Sequence, residues 1–271
     1  MRQKTLDRVL TEDGADWRDV TSGLVAGESA TARIVTRERG VVAGVEEATQ
    51  VFGAFDVSVD PRVADGDPVE AGEVVAELAG PADGLLRGER LALNFLMSMS
   101  GVASRTRAVV ERVDDGDGDA RVAATRKTTP GYRQFEKRAV RLGGGDPHRY
   151  NLADAVLIKE NHIAIAGLET CIERARRRAS FTATVEVEVE TATQATRAAA
   201  AGADILLLDN MTPEEAAACV DTLETDVTVE ASGGITPETA PAYAAAGVDV
   251  VSMGSLVYDA GWLDASMLVE P

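Results

Sequence analysis

From residue 155 onward, short apolar runs at 155–158, 184–189, 205–208, 227–229 and 248–251 alternate with Ala-rich stretches at 168–179, 193–200, 213–223 and 237–246. The stretches are helical in character, and Pro213 and Pro237 stand where a first helical turn tolerates proline. Strand and helix repeated in this way predict parallel strands joined by crossover helices. Each run is followed by residues that carry chemistry: Lys159 to His162, then Glu188 and Glu190, Asp209 and Asn210, Glu230 to Gly234, and Ser252 to Ser255. Polar residues gathered at the C-terminal ends of successive parallel strands predict a βα-barrel, whose strand ends open on one face. A doubly wound sheet would hold its ligand at a switch point instead, and no GxGxxG follows the first strand.

The segment VEVEVE at 185–190 alternates with period two, so its valines and glutamates point to opposite faces. A solvent-facing row of glutamates is the ordinary outcome. A carboxylate on a barrel's interior face would instead need a cation or metal beside it. Because the next strand brings Asp209 to the same rim as Glu188, the two form a candidate Mg²⁺ or substrate-hydroxyl site. The glycines of Ser232-Gly233-Gly234 and Gly254-Ser255 expose backbone N–H groups of the kind that bind phosphate, although ordinary turns would also use them.

The first hundred residues have a different texture. The stretch at 65–78 resembles the short β-turns of lipoyl and biotinyl carriers, but no lysine lies between Lys4 and Lys127, so a carrier module has no attachment site. A small, half-open β-sandwich is the structural expectation. Residues 88–101 then read as a helix with an apolar stripe through Leu93, Leu96 and Met97. Arg90 falls at the start of that helix, where cations are disfavoured, which points to an anion or a neighbouring chain as its partner. The chain is thus divided at residues 1–100 and 101–271, with the C-terminal tail returning to the N-terminal domain.

Charge sharpens the picture. The chain has 45 Asp and Glu against 27 Lys and Arg, a net charge of −18, so nucleic acid and anionic membrane are poor partners. Only four lysines and two histidines are present, and all but Lys4 lie between Ala124 and His162. A cationic cluster inside an anionic protein suits a small, multiply anionic ligand. The acidic excess also fits a protein adapted to high salt. Cys171 and Cys219 lie in helical patterns without basic neighbours, as expected of a reduced, cytoplasmic protein. No apolar leader or run of 18 apolar residues is present. The acidic run at 114–119 looks calcium-like, but its twelfth position, counted from Asp115, is Arg126, so a solvated turn is expected.

The segments GERLALNFLMSMSGVAS, ATRKTTPGYR, KRAVRLGGGDPHR, LIKENH, VEVEVE, LLLDNM, EASGGI and GVDVVSMGSL occur in the order found in the quinolinate phosphoribosyltransferases, and the chain resembles that family from about Asp16 to Leu256. The resemblance implies an α/β fold, with an N-terminal α/β open sandwich and an incomplete βα-barrel of the type II phosphoribosyltransferase kind. It also implies a homodimer with shared sites, Mg²⁺ as cofactor, and quinolinate and phosphoribosyl pyrophosphate as substrates. Arg126, His148, Arg149 and Lys159 match positions around quinolinate, with Arg90 supplied by the partner subunit. Lys127 matches a position near the pyrophosphate. Glu188 and Asp209 match the carboxylates that hold the ribose hydroxyls and the metal, and Ser232, Gly233, Gly234 and Gly254 match the 5′-phosphate loops. Two departures stand out: Pro147 replaces the usual Asn before His-Arg, and Ala124 replaces the usual Asp before Thr-Arg-Lys. A paralogue acting on a different acceptor, as in the molybdenum-associated branch of the fold, is the alternative; Arg90, Arg126, Arg149 and Lys159 together favour a dicarboxylate.

Overall fold

In the computed structural model, which describes residues 1–14, 19, 21–224 and 226–270, antiparallel and parallel pairing are segregated along the chain. The first unit comprises Met1–Arg105 with Ala260–Pro271, and the second Thr106–Asp259. The first contains α1 (Gln3–Glu12), β1 (Ser29–Thr36), β2 (Gly40–Val41), α2 (Val45–Gly53), β3 (Ser58–Pro61), β4 (Pro68–Val69) and β5 (Val74–Pro81). Next comes α3 (Ala82–Asp114), a helix of 33 residues that begins in the first unit and ends in the second.

The second unit continues with β6 (Arg121–Ala124), α4 (Arg133–Leu142), β7 (Val156–Ile158), α5 (Glu160–Ala166), α6 (Leu168–Arg178) and β8 (Val185–Val189). It is completed by α7 (Ala192–Ala200), β9 (Ile205–Asp209), α8 (Pro213–Asp221), β10 (Thr228–Ser232), α9 (Ala240–Ala245), β11 (Val250–Met253) and α10 (Ser255–Tyr258). The last strand, β12 (Ala265–Glu270), pairs antiparallel with β1 in a four-stranded sheet of order β12-β1-β5-β3.

The helical reading of 88–101 is correct in type and wrong in its start. Gly84 and Gly88 look like breakers in the sequence, yet both lie inside α3, where the chain packs closely. A Cβ would come within 2.5 Å of the Phe55 carbonyl oxygen at Gly84 and 2.7 Å of the Phe52 ring at Gly88. Arg90 is therefore more than two turns into the helix, and the helix-dipole argument for its partner lapses. The helix also buries more than the stripe, adding Ala92, Phe95 and Met99 to Leu93 and Leu96.

The second unit has one parallel sheet of six strands in the order β6-β11-β10-β9-β8-β7. Its first strand, β6, has the sequence Arg-Val-Ala-Ala, too small and short to stand out as an apolar run. An isolated parallel bridge between Ala123 and Asp146 extends the β6 edge by one residue pair. The sheet thus stays open between its two edge strands, as in an incomplete barrel. Strands β10 and β11 run further than their apolar stretches, to Ser232 and Met253, because the ladder continues through polar residues. Helix α9 starts at Ala240, after the Thr236 to Thr239 turn, and not at Pro237. The acidic run at 114–119 is a largely exposed connection, and both cysteines are free.

Candidate active site

Strand register decides which side chains share a face. In the parallel ladder Glu186 is level with Ile205, Glu188 with Leu207, Leu207 with Glu230, and Asp209 with Ser232 and Ser252. Residues level in a ladder point the same way, and alternate residues repeat the direction. Glu186, Glu188, Asp209, Glu230 and Ser232 therefore lie on one face, and the valines of β8 on the other. The solvent-facing reading of the VEVEVE glutamates fails for Glu186, which is 1% exposed, and for Glu188, which is only partly exposed. Glu190, past the strand end, is exposed.

His148 reaches this face from the bridge beside β6. Its Nε2 lies 3.2 Å from Glu230 Oε2 and 3.8 Å from Glu186 Oε2. Burial opposes a charged imidazole, but the hydrogen bond and charge of Glu230, joined by the charge of Glu186, outweigh it and hold the pKa above the usual histidine value. For Glu186, burial and then the charge of Glu230 push the carboxyl up to about 7, with His148, Arg149 and Lys159 pulling the other way. One Glu186 oxygen is buried without a partner. The backbone of His148 has φ +52°, a left-handed conformation rare for a residue with a side chain, and its N–H donates to Asp146 Oδ1 at 2.6 Å.

Arg126 and Arg149 each bury an Nε that has no hydrogen-bond partner. Both charges bear on the same neighbour, Lys137, and Arg149 also bears on Glu186. Lys159, at the end of β7, forms an ion pair with Glu188. Its backbone N–H is held by His162 Nδ1 at 3.0 Å, which opens α5. Asp209 accepts a hydrogen bond from Asn210 Nδ2 at 2.8 Å, and Asn210 is itself left-handed at φ +57°.

The glycine loops adjoin these carboxylates. Gly233 and Gly234 both have positive φ, and a Cβ at Gly233 would lie 2.4 Å from Asn210 Oδ1. At Gly254 a Cβ would lie 2.9 Å from Lys127 Cδ and 2.8 Å from the Tyr258 ring, so the stem of Lys127 passes directly over that glycine. Lys127 is otherwise exposed. Within the second unit the fold therefore brings together Arg126, Lys127, His148, Arg149, Lys159, Glu188, Asp209, Ser232, Gly233, Gly234 and Gly254. Arg90 belongs to the first unit, exposed on α3.

The sequence placed Glu230 among the residues past a strand's apolar run and Lys137 in the cationic cluster without giving either a specific role, and it did not single out Glu186. Glu186 hides in the β-alternation of the 185–190 segment. Lys137 had one signal, the scarcity of lysine, and is fully buried on α4.

As oxygen-only donors, Glu188 and Asp209 suit a hard divalent cation, and their diagonal placement on β8 and β9 leaves both carboxylates on one face.

Residues 19–100 match the model of the quinolinate phosphoribosyl transferase N-terminal domain and residues 102–268 that of the C-terminal domain. A probable nicotinate-nucleotide pyrophosphorylase [carboxylating] of Methanothermobacter thermautotrophicus is 49% identical, with 97% of each chain covered. The human nicotinate-nucleotide pyrophosphorylase [carboxylating] is 41% identical over 97% of this chain and 89% of that one. Among solved structures, NadC from Streptococcus pyogenes superposes with a TM-score of 0.92 at 41% identity, covering 98% of this chain and 95% of that one. The nicotinate-nucleotide pyrophosphorylase from Francisella tularensis gives 0.93 at 33% identity, covering 100% and 98%. With both domain models matched in order over nearly its whole length, the chain belongs to the quinolinate phosphoribosyl transferase family.

Proposed function

We infer that this chain transfers the phosphoribosyl group of phosphoribosyl pyrophosphate to quinolinate with decarboxylation, giving nicotinate mononucleotide, pyrophosphate and CO₂ in NAD biosynthesis. The observation that carries the reading is the pair of buried, unpartnered Nε donors on Arg126 and Arg149, in the same cationic group as His148 and Lys159. Buried guanidinium donors without acceptors match a ligand that brings carboxylate oxygens. Quinolinate has two on adjacent ring carbons.

Arg126, His148, Arg149 and Lys159 bind those carboxylates and hold the pyridine nitrogen towards the ribose. The bond from ribose C1′ to pyrophosphate breaks with its electron pair on the leaving oxygen, and the ribose becomes oxocarbenium-like. Glu188 and Asp209 hold the ribose hydroxyls and stabilise that positive charge, while Lys127 stabilises the departing anion. Ser232, Gly233, Gly234 and Gly254 form the 5′-phosphate loops. Attack by the pyridine nitrogen makes the ring cationic. The 2-carboxylate then leaves as CO₂, its bonding electrons stay with the ring, and the ring carbon takes a proton.

Mg²⁺, held by Glu188 and Asp209, would supply charge neutralisation for the pyrophosphate. A homodimer places Arg90 of one subunit in the quinolinate site of the other. The acidic surface and free cysteines support a cytoplasm rich in salt. Among the described residues no helix is long and apolar enough to cross a membrane.

The test is quinolinate consumption, followed by its absorbance, with phosphoribosyl pyrophosphate and Mg²⁺ at low and high salt and nicotinate as competing acceptor. Consumption of quinolinate with release of CO₂ and pyrophosphate supports the reading. Turnover of nicotinate alone, or none by folded protein, moves the assignment to a paralogue with another acceptor.

A further inference from the structure

His148 stands in a left-handed backbone conformation straight after Pro147, whose ring restricts φ and removes an N–H. Such a conformation persists only where surrounding structure over-determines it. Two buried charged side chains outside the set of ligand-binding residues supply that constraint. Lys137, fully buried on α4, donates from Nζ to the carbonyl oxygen of Ala124 at 2.9 Å and to that of Pro147. Ala124 immediately precedes Thr125-Arg126-Lys127, and Pro147 immediately precedes His148-Arg149. A single ammonium thus fastens the start of one cationic segment to the start of the other. On the far side, Glu230, 2% exposed, holds the His148 ring at Nε2.

The neighbours of Lys137 on α4 brace the same loop. The Glu136 carboxylate accepts the Thr129 N–H at 3.0 Å, and Arg133 Nε donates to Thr128 Oγ1 at 2.9 Å. Both carbonyl contacts of Lys137 use it as a donor, and both oxygens belong to the backbone, so its part is to place other groups.

We propose that Lys137 and Glu230 are positioning residues of the acceptor site, clamping His148 from its preceding peptide and from its ring, with Lys137 also setting Arg126 against Arg149. This deepens the reading of the site as that of quinolinate and rests on it. The phosphoribosyl pyrophosphate side has supports of its own: the Lys127 N–H is held by Thr125 Oγ1 at 3.1 Å, and its stem lies against Gly254. The clamp therefore acts mainly on the acceptor.

The chain has two histidines, His148 and His162, so histidine-labelled protein gives two sets of ring signals by NMR. In Lys137→Met, the His148 signals should move while those of His162 stay in place. The KM for quinolinate should rise about tenfold or more, with that for phosphoribosyl pyrophosphate changing by less than about threefold. Glu230→Gln, which keeps the shape of the side chain, should give the same pattern to a smaller degree. Should Lys137→Met not fold, Lys137→Gln, which retains an N–H, and Glu230→Gln provide the same readings. Unmoved His148 signals, an unchanged quinolinate KM, or equal rises in both KM values in a folded variant would overturn the proposal. Wild-type turnover of quinolinate in the same assay tests the underlying reading separately, and the His148 signals report the clamp even without turnover.

Discussion

Glu230 Oε2 lies 3.2 Å from His148 Nε2, with both groups largely withdrawn from solvent. An anionic partner at that distance favours the imidazolium, and the folded pKa of His148 is raised as a result. The sign follows: the charge is fully present below the ordinary value of 6.5 and is lost as pH rises through the higher folded value. Quinolinate kcat/KM should therefore fall on the alkaline side, with an apparent pKa above 6.5. In Glu230→Gln the anionic partner is gone while burial remains, so that apparent pKa should drop. A pH profile of kcat/KM for both proteins is the measurement, and an unmoved alkaline limb would contradict the pairing.

Lys137 makes the opposite linkage. Burial, then the charge of Arg133, brings its pKa down to about 8 from 10.5, so the fold bears a cost for the charged form. That cost is present at pH values below about 8 and disappears as pH rises towards 10.5. Wild-type protein should gain stability relative to Lys137→Met across this window. Thermal unfolding of both at stepwise pH measures the difference.

Gly254→Ala should act on one substrate. The added methyl meets the Lys127 stem at 2.9 Å and the Tyr258 ring at 2.8 Å, and the flexible lysine yields more readily. The φ of −69° at Gly254 tolerates alanine. The KM for phosphoribosyl pyrophosphate should rise by roughly tenfold with the fold retained. Gly233→Ala differs, because φ is +98° and Asn210 Oδ1 lies 2.4 Å from the new carbon; a loss of about 2 kcal/mol or more in stability is expected from denaturant unfolding.

Arg126→Ala should raise the quinolinate requirement far more than that for phosphoribosyl pyrophosphate, with a fall in quinolinate kcat/KM on the order of 100-fold. Steady-state kinetics with each substrate varied gives the comparison. Equal losses for both would contradict the assignment of Arg126 to the acceptor.

Lys159 is bound to Glu188, so loss of either changes the other. Glu188→Gln should raise the Mg²⁺ concentration needed for half-maximal activity by about tenfold. An unchanged Mg²⁺ dependence would remove Glu188 from the metal site.

An Arg90→Ala subunit mixed with a Lys159→Ala subunit should recover part of the activity that each lacks alone, since one site in the mixed dimer is whole. Activity of isolated, tagged heterodimers decides this; none above the parents would count against a shared site.

The sequence by itself determined the α/β class and five of the six parallel strands of the second unit, and it pointed to chemistry at their ends; β6 carries too little apolar character to be read. Apolar runs separated by helical stretches are local signals. Lys159, Glu188 and Asp209 could be read because each sits at or just past a strand's apolar run. Only the tertiary structure decided that the glutamates of β8 face inward and that the long helix begins before Gly84 and Gly88. It alone placed Glu186, Glu230 and Lys137 around His148. Those placements depend on which distant segments of the chain come to lie opposite one another. A buried carboxylate or ammonium is tolerable only when distant segments supply its partners, and the partners of Lys137 are carbonyl oxygens that no side-chain motif records.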